Sequence, residues 1–433
     1  MSVGLVCAVL FIVLLLLFVA GYPIAFAMAT ITVIGILWLF EPTLLFQLAQ
    51  ISVELGTNFL LLVIPLFVLM AEFIVVSGHA EKAVNAASKW LNWLPGSLAI
   101  STVFGCSFFA AVCGSSPVTA ATMGRVAIPE MANRGYDPRL GYGVVVSAGT
   151  IGIMIPPSLT MILYGSMTGN SIGKLFMAGI VPGVVLGLLM SLLVVAIVLL
   201  KPSSAPRHSE DVTWGDRLRL LVKVGPTFGL AFLVLASIYM GFATPTEAAA
   251  AGAIGAFILF LCSGRFELKT LSGCLVRSAT ITCAIMILLV GGTCMAFLMA
   301  TTGIPQDLAT IIVGLGLGPW GTMILINAIL IVLGCFLDPM GVLVLTVPLF
   351  VPIVTSLGLD PIWFGVIMTL NVQIGMLTPP VGLNLYVLKA VFPEVPINHI
   401  VIGSLPFFVL MVLCLVLFQI FPELTLWLPS RMI

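Results

Sequence analysis

The chain has 433 residues, 61% of them hydrophobic and only 7% charged, with a mean hydropathy of +1.28 and a formal net charge of zero. A soluble domain carries about 25% charge, and the many apolar runs of roughly 17–25 residues mark a polytopic helical membrane protein. The neutral balance gives no argument for nucleic acid as a partner, and the nine cysteines, scattered without CxxC spacing, read as core residues rather than a disulfide or metal framework.

The first 20 residues hold no Lys or Arg, so the basic start of a cleaved signal is missing and Val3–Ala20 is expected as a retained transmembrane helix. A Gly21-Tyr22-Pro23 turn leads to a second span, Ile24–Phe40, and Asn58–Val76 is a third, closed by Gly78. His79–Leu94 is amphipathic, with Lys82 and Lys89 beside Trp90 and Trp93, as in a helix lying at the membrane interface. Leu98–Ala132 is apolar but interrupted at Gly114–Pro117, and Leu140–Tyr164 is interrupted at Gly149–Ser158. Leu175–Leu200 closes this unit, and the polar stretch from Lys201 to Arg219 reads as a solvated linker.

The plan then repeats. Pro23, Met70, Gly78, Pro117, Pro129, Asp137, Gly152, Pro156 and Pro157 recur as Pro245, Met295, Gly303, Pro339, Pro352, Asp360, Gly375, Pro379 and Pro380, all at offsets between 222 and 225. One duplicated unit explains that register. Charge placement sets the relative orientation. Lys82 and Lys89 precede the first interrupted segment and Arg134 and Arg139 follow it, so both its ends face the cytoplasm and it is a re-entrant hairpin. No Lys or Arg occurs between Arg277 and Lys389, so the second hairpin, about 320–355 with its tip at Asp338-Pro339, opens to the other side. The halves are expected as inverted repeats.

Polar, helix-breaking backbone at membrane depth is tolerated only where protein buries it or a watery cavity receives it. Paired breaks in two halves point to a transporter's binding site. Helix N-termini ending at mid-membrane suit a carboxylate, and unwound carbonyls with Ser, Thr, Asn or Asp oxygens suit sodium. The candidates are Gly114, Ser115, Ser116 and Thr119 at tip one, and Gly149, Thr150 and Ser158 at break one. Their counterparts are Asp338 at tip two, with Asn371, Gln373, Thr378, Gly382 and Asn384 at break two. The bland alternative is that Gly and Pro merely kink packed helices and the hydroxyls bond back to the preceding turn. Asp338 is either an ion ligand or a helix cap beside Pro339. Glu72 either faces a groove or is a satisfied interior acid; Arg125 either helps hold an anion or snorkels to the interface. Thr244-Pro245-Thr246-Glu247 fits a structural capping box.

At these motifs the chain resembles the large membrane subunit of the tripartite ATP-independent periplasmic (TRAP) transporters. The likeness rests on the stretches Ala111–Met131, Gly135–Pro138, Ala148–Ser158, Ala243–Ala250 and Leu377–Asn384, and covers essentially the whole chain. The resemblance implies an elevator transporter, in which hairpins and broken helices form a domain that slides against a scaffold, similar in fold to divalent-anion–sodium symporters. It also implies a co-transported sodium ion, a soluble periplasmic binding protein that delivers the substrate, and a separate small four-helix membrane subunit.

The fold expected is an all-α polytopic inner-membrane protein with two re-entrant hairpins and two broken helices. Scaffold helices are assigned to 1–78 and 223–303, interfacial arms to 79–94 and 304–318, transport-domain parts to 95–167 and 319–388, closing spans to 168–200 and 389–433, and a linker to 201–222. The expected substrate set is Ser115, Ser116, Thr119, Arg125, Pro156, Pro157, Thr378, Pro379 and Pro380. The expected sodium set is Gly114, Ser115, Ser116, Gly149, Thr150, Ser158, Asp338, Asn371, Gln373, Thr378, Gly382 and Asn384. The function expected is sodium-coupled import of a carboxylated organic anion such as a C4-dicarboxylate, sialic acid or another sugar acid. A stand-alone divalent-anion symporter is the alternative. An intramembrane enzyme would need a second acid converging on Asp338, and break two offers no clear one.

Overall fold

The structure, a computed structural model, describes residues 9–432 apart from 11, 15, 19, 79–85, 207–213 and 315. Among the described residues all regular structure is helical, and seven helices are long and apolar enough to cross a membrane. Parts of the expected first span and interfacial arm lie outside the described residues; within the span, residues 12–14 and 16–18 are helical.

The first half contains α1 (Ile24–Leu39), α2 (Leu45–Thr57) and α3 (Val63–Val76), then a hairpin of α4 (Ser97–Cys113) and α5 (Ser116–Asn133). A broken helix follows, α6 (Pro138–Ala148) and α7 (Leu159–Thr168), and α8 (Ile172–Leu200) closes the unit. The second half contains α9 (Trp214–Tyr239), α10 (Pro245–Cys262), α11 (Leu268–Thr302) and a short arm, α12 (Ile304–Gly314). Its hairpin is α13 (Gly318–Phe336) and α14 (Pro339–Ser356), its broken helix α15 (Pro361–Gly375) and α16 (Leu383–Val391), and its closing helix α17 (Ile397–Ile420).

One boundary differs from the sequence reading. The linker assigned to 201–222 is shorter, because α9 already starts at Trp214. The third span runs continuously over Phe59–Val76 as expected, but its first turn, Phe59–Leu62, is 3-10 and the α-helix begins only at Val63. The Asn58 side chain accepts from Leu60 N, and Pro65 lacks the N–H that would bond Leu61, so the first turn tightens. The second-half equivalent, α11, has no proline and runs straight through 35 residues.

Helix starts follow the chemistry expected of Asp-Pro. Asp137 accepts from Arg139 N at 3.0 Å and Asp360 from Ile362 N at 2.7 Å, each with proline in the first helical position. Thr244 and Glu247 form the expected capping box at the start of α10. Packing repeats between halves: α1 lies on α11 as α10 lies on α3, and α4 lies on α6 as α13 lies on α15. In the last pair the backbones nearly touch, since a β-carbon on Gly375 would come within 2.6 Å of the Gly334 α-carbon.

The halves are inverted relative to each other. At one membrane face α6 starts where α8 ends: Lys201 Nζ lies 3.2 Å from Asp137 Oδ2, and Asp137 N donates to Ser204 O. The chain then crosses through α7, whose Tyr164 hydroxyl donates to Pro361 O at the start of α15. There, too, Trp363 Nε1 donates to Phe418 O near the end of α17. So α6 and α15 start on opposite faces.

Candidate substrate and ion site

Tip one is a tight turn between α4 and α5. Gly114 caps α4 at φ +60°, a left-handed conformation that favours glycine, and packs beside Pro157 O and Leu159 of break one. Ser115 is the residue before α5, with no side-chain cap bond, and Ser116 begins the helix. The free N–H groups of that first turn therefore point out of the tip. Tip two is built similarly. Asp338 precedes α14, accepts from Met340 N at 3.3 Å, and Pro339 takes the first helical position. Gly382 of break two donates its N–H to Cys335 O at the end of α13, so break two is bonded to tip two.

Both tips line one cavity of about 380 Å³. Its transport-side wall is Gly114–Val118, Ile153, Leu159, Thr160, Asp338–Met340 and Leu383; its scaffold wall is Val68, Ala71, Glu72 and Val75 of α3 with Ile281, Ala284, Ile285 and Leu288 of α11. Two helix N-termini thus face one space, an arrangement suited to an anion. Gly114, Ser115, Ser116 and Asp338 are brought together as expected.

The halves also interlock. Asn384 of α16 is buried and donates to Ser116 Oγ at 2.6 Å and to Val146 O at 3.1 Å. Among the described residues its own Oδ1 has no partner, and neither has the buried hydroxyl of Ser147 next to Val146. Gly149 adjoins the same place: a β-carbon there would lie 3.6 Å from Ser116 O. Hydroxyl, amide and carbonyl oxygens around one point are hard donors of the kind an alkali cation takes. Among the described residues no three His, Cys, Asp or Glu converge.

Other candidates sit differently. Thr119, Thr150 and Thr378 donate to the carbonyls of Ser115, Ser147 and Ile374, and Ser158 caps α7 while bonding Ile153 O, so their hydroxyls are engaged locally. Asn371 is bonded to Asn327 and Ile367 O, with Oδ1 unpartnered, and buried Gln373 has neither amide atom partnered. Neither lines the shared cavity. Of the expected substrate set only Ser115 and Ser116 line it; besides Thr119 and Thr378, five further members do not reach it. Arg125 is exposed, about 14 Å along α5 from Ser116; Pro379 and Pro380 are exposed. Pro156 and Pro157 line a separate apolar cavity of about 360 Å³ with Phe104, Phe108, Phe228 and Phe232.

The structure adds Thr160, which lines the shared cavity, fully buried and with its hydroxyl unpartnered among the described residues. Both readings of Glu72 hold: it lines the opposite wall and pairs with Arg277, Nε to Oε2 at 2.8 Å. Only its polarity within an apolar run could have flagged Thr160.

A helical membrane protein of inverted halves, with hairpin tips and helix breaks meeting at a central cavity, is a transporter by architecture. The family described as "Tripartite ATP-independent periplasmic transporter, DctM component" matches residues 11–424, and the chain belongs to that family, as a multi-pass inner-membrane permease component. It is 36% identical to the C4-dicarboxylate TRAP transporter large permease protein DctM of Pseudomonas aeruginosa, over 90% of this chain and 91% of that one. It is 34% identical to the isethionate TRAP transporter permease protein DctMQ of Oleidesulfovibrio alaskensis, over 88% of this chain and 60% of that one. In fold it is similar to the crystal structure of the Alcanivorax borkumensis YdaH transporter, with a TM-score of 0.60, 14% identity, and coverage of 96% of this chain and 98% of that one.

Proposed function

We propose that this chain is the permease of a tripartite system that imports a carboxylated organic anion by sodium symport. The observation that carries this reading is the single cavity into which both helix-start tips face. A carboxylate there meets the unpaired N–H groups at the positive end of α5, the start of α14 being capped by Asp338. Sodium is held beside it by Asn384 Oδ1, the oxygen unpartnered among the described residues, with Ser116 and the carbonyl of Val146, which accept from the same amide, next to it. Asp338 adds a negative charge at tip two, which a cation offsets when the anion enters.

The hairpins and broken helices then move together past α3 and α11, carrying the loaded cavity across as an elevator. A soluble periplasmic binding protein delivers the anion, and a small four-helix membrane subunit sits on the scaffold. The name DctMQ of one longer relative supports such a companion. A relative named for C4-dicarboxylate supports the carboxylate, while one named for isethionate, a sulfonate, supports only an organic anion, so the choice among anions belongs to this chain's own cavity and to its binding protein.

Uptake of labelled anions into proteoliposomes, with and without a sodium gradient and a binding protein, tests this. Uptake that requires both is expected. Sodium-driven uptake of free substrate without a binding protein would replace the tripartite reading with a stand-alone symporter, and sodium-independent uptake would remove the ion from both tips.

A further inference from the structure

The scaffold wall of the shared cavity is apolar except at one point. Val68, Ala71, Glu72 and Val75 recur along one stripe of α3, and Glu72 is the only polar side chain that α3 or α11 contributes to the lining. Its carboxylate is ion-paired through Oε2 alone; Oε1 accepts no hydrogen bond from the described residues. Arg277 is one helical turn beyond Ile281 on α11, is itself outside the lining, and has 52% of its side chain exposed. No Lys or Arg lines the cavity at all. Across the space Thr160 contributes only its buried side chain to the opposite wall.

Resting on the transporter reading above, we infer that Glu72 determines substrate class: the cavity takes a monocarboxylate whose far end carries a hydrogen-bond donor, a hydroxyl or ammonium group, and disfavours a dicarboxylate dianion. With one carboxylate docked on the open helix start of α5, the far end of a short substrate meets the scaffold wall, where Glu72 Oε1 lies. A hydroxyl or ammonium there donates to Oε1, a charge-assisted bond. A second carboxylate meets the carboxylate oxygen Oε1, which Arg277, bonded to Oε2 from outside the lining, leaves uncovered. Arg277 fixes the Glu72 rotamer, which makes it a positioning residue.

The test uses the purified full chain in sodium and follows its melting temperature against four linear C4 acids that share one carboxylate and differ at the other end. These are 4-hydroxybutyrate, 4-aminobutyrate, succinate and butyrate. The hydroxy or amino acid is expected to stabilise the protein at a concentration at least about tenfold below that needed for succinate, the size of one charge-assisted bond lost. Glu72→Gln, which keeps shape and removes charge, is expected to cut that ratio to about threefold or less, with the succinate midpoint unchanged or lower. Glu72→Gln/Arg277→Gln, which leaves no unpaired cation, carries the same expectation if the single variant does not purify folded. Equal or tighter succinate binding by the unaltered chain, or an unaltered ratio in the variants, overturns the inference and leaves the transporter reading standing. No stabilisation by any of the four acids overturns the carboxylate site itself, and this inference with it.

Discussion

Asn384, from the second half of the chain, donates its side-chain amide to the hydroxyl of Ser116 in the first half across 2.6 Å. The bond ties a helix break to the opposite half's hairpin tip, and it leaves the amide oxygen, Oδ1, without a partner among the described residues. A buried oxygen left open beside a hairpin tip is where sodium is placed in the proposed mechanism.

Asn384→Leu removes that oxygen and strands the Ser116 hydroxyl. The expected outcome is a rise of about tenfold or more in the sodium concentration that half-saturates uptake, the loss of one hydrogen-bond-strength ligand. Asn384→Asp keeps the oxygen and is expected to retain sodium dependence. Identical sodium curves for the Leu variant and the parent would remove the ion from this junction.

Asp338→Asn separates the two roles of the tip-two acid. Asn caps helices about as well as Asp, so folding and melting temperature are expected to hold. The negative charge is gone, so sodium-coupled uptake is expected to weaken. Sodium dependence measured across a titration decides it: no change sinks the ion role and leaves only the cap.

Gly375→Ala pushes a methyl group into the Gly334 backbone, 2.6 Å from its α-carbon. Overpacking of that kind costs about 1–3 kcal/mol, so a lowered melting temperature is expected. A fully stable variant would show that α13 and α15 separate easily, against the rigid transport-domain part that carries tip two.

Inversion of the halves can be checked by labelling. In a background with the native cysteines replaced, Asn133→Cys and Ser356→Cys, both exposed at the open ends of the two hairpins, are expected to react with a membrane-impermeant thiol reagent from opposite sides. Reaction of both from one side would contradict the inverted arrangement.

Much of this arrangement was legible because glycine, proline and polar residues interrupt apolar runs at a fixed offset. Gly114, Pro117 and Pro339 announce turns whatever surrounds them, and their repetition fixes both hairpins and breaks. The scaffold wall was less legible. Helices that are apolar on every face carry no periodic signal of which side meets a neighbour, so the acid at Glu72 suggested a groove or an internal partner without saying that it faces the tips. Thr160 was hidden for another reason. A lone threonine in a helix ordinarily bonds back to the preceding turn, as Thr119, Thr150 and Thr378 do, and only the fold shows that Thr160 does not. Arg125 misled in the opposite direction: an arginine near a tip resembles an anion ligand, but about 14 Å of helix puts it at the surface. The 3-10 first turn of the third span turned on Pro65 and the Asn58 cap, a local effect that the hydropathy of the run outweighs.

The central claim is that the two tips close on one ligand. Ser115→Cys and Met340→Cys place a thiol at each tip, and both positions line the shared cavity. In a background free of native cysteine, the rate of modification by a small water-soluble thiol reagent is measured with sodium alone and with sodium plus an anion that supports uptake. Protection of both thiols by the same anion concentration is expected. Protection at one tip with the other unaffected would contradict a shared site.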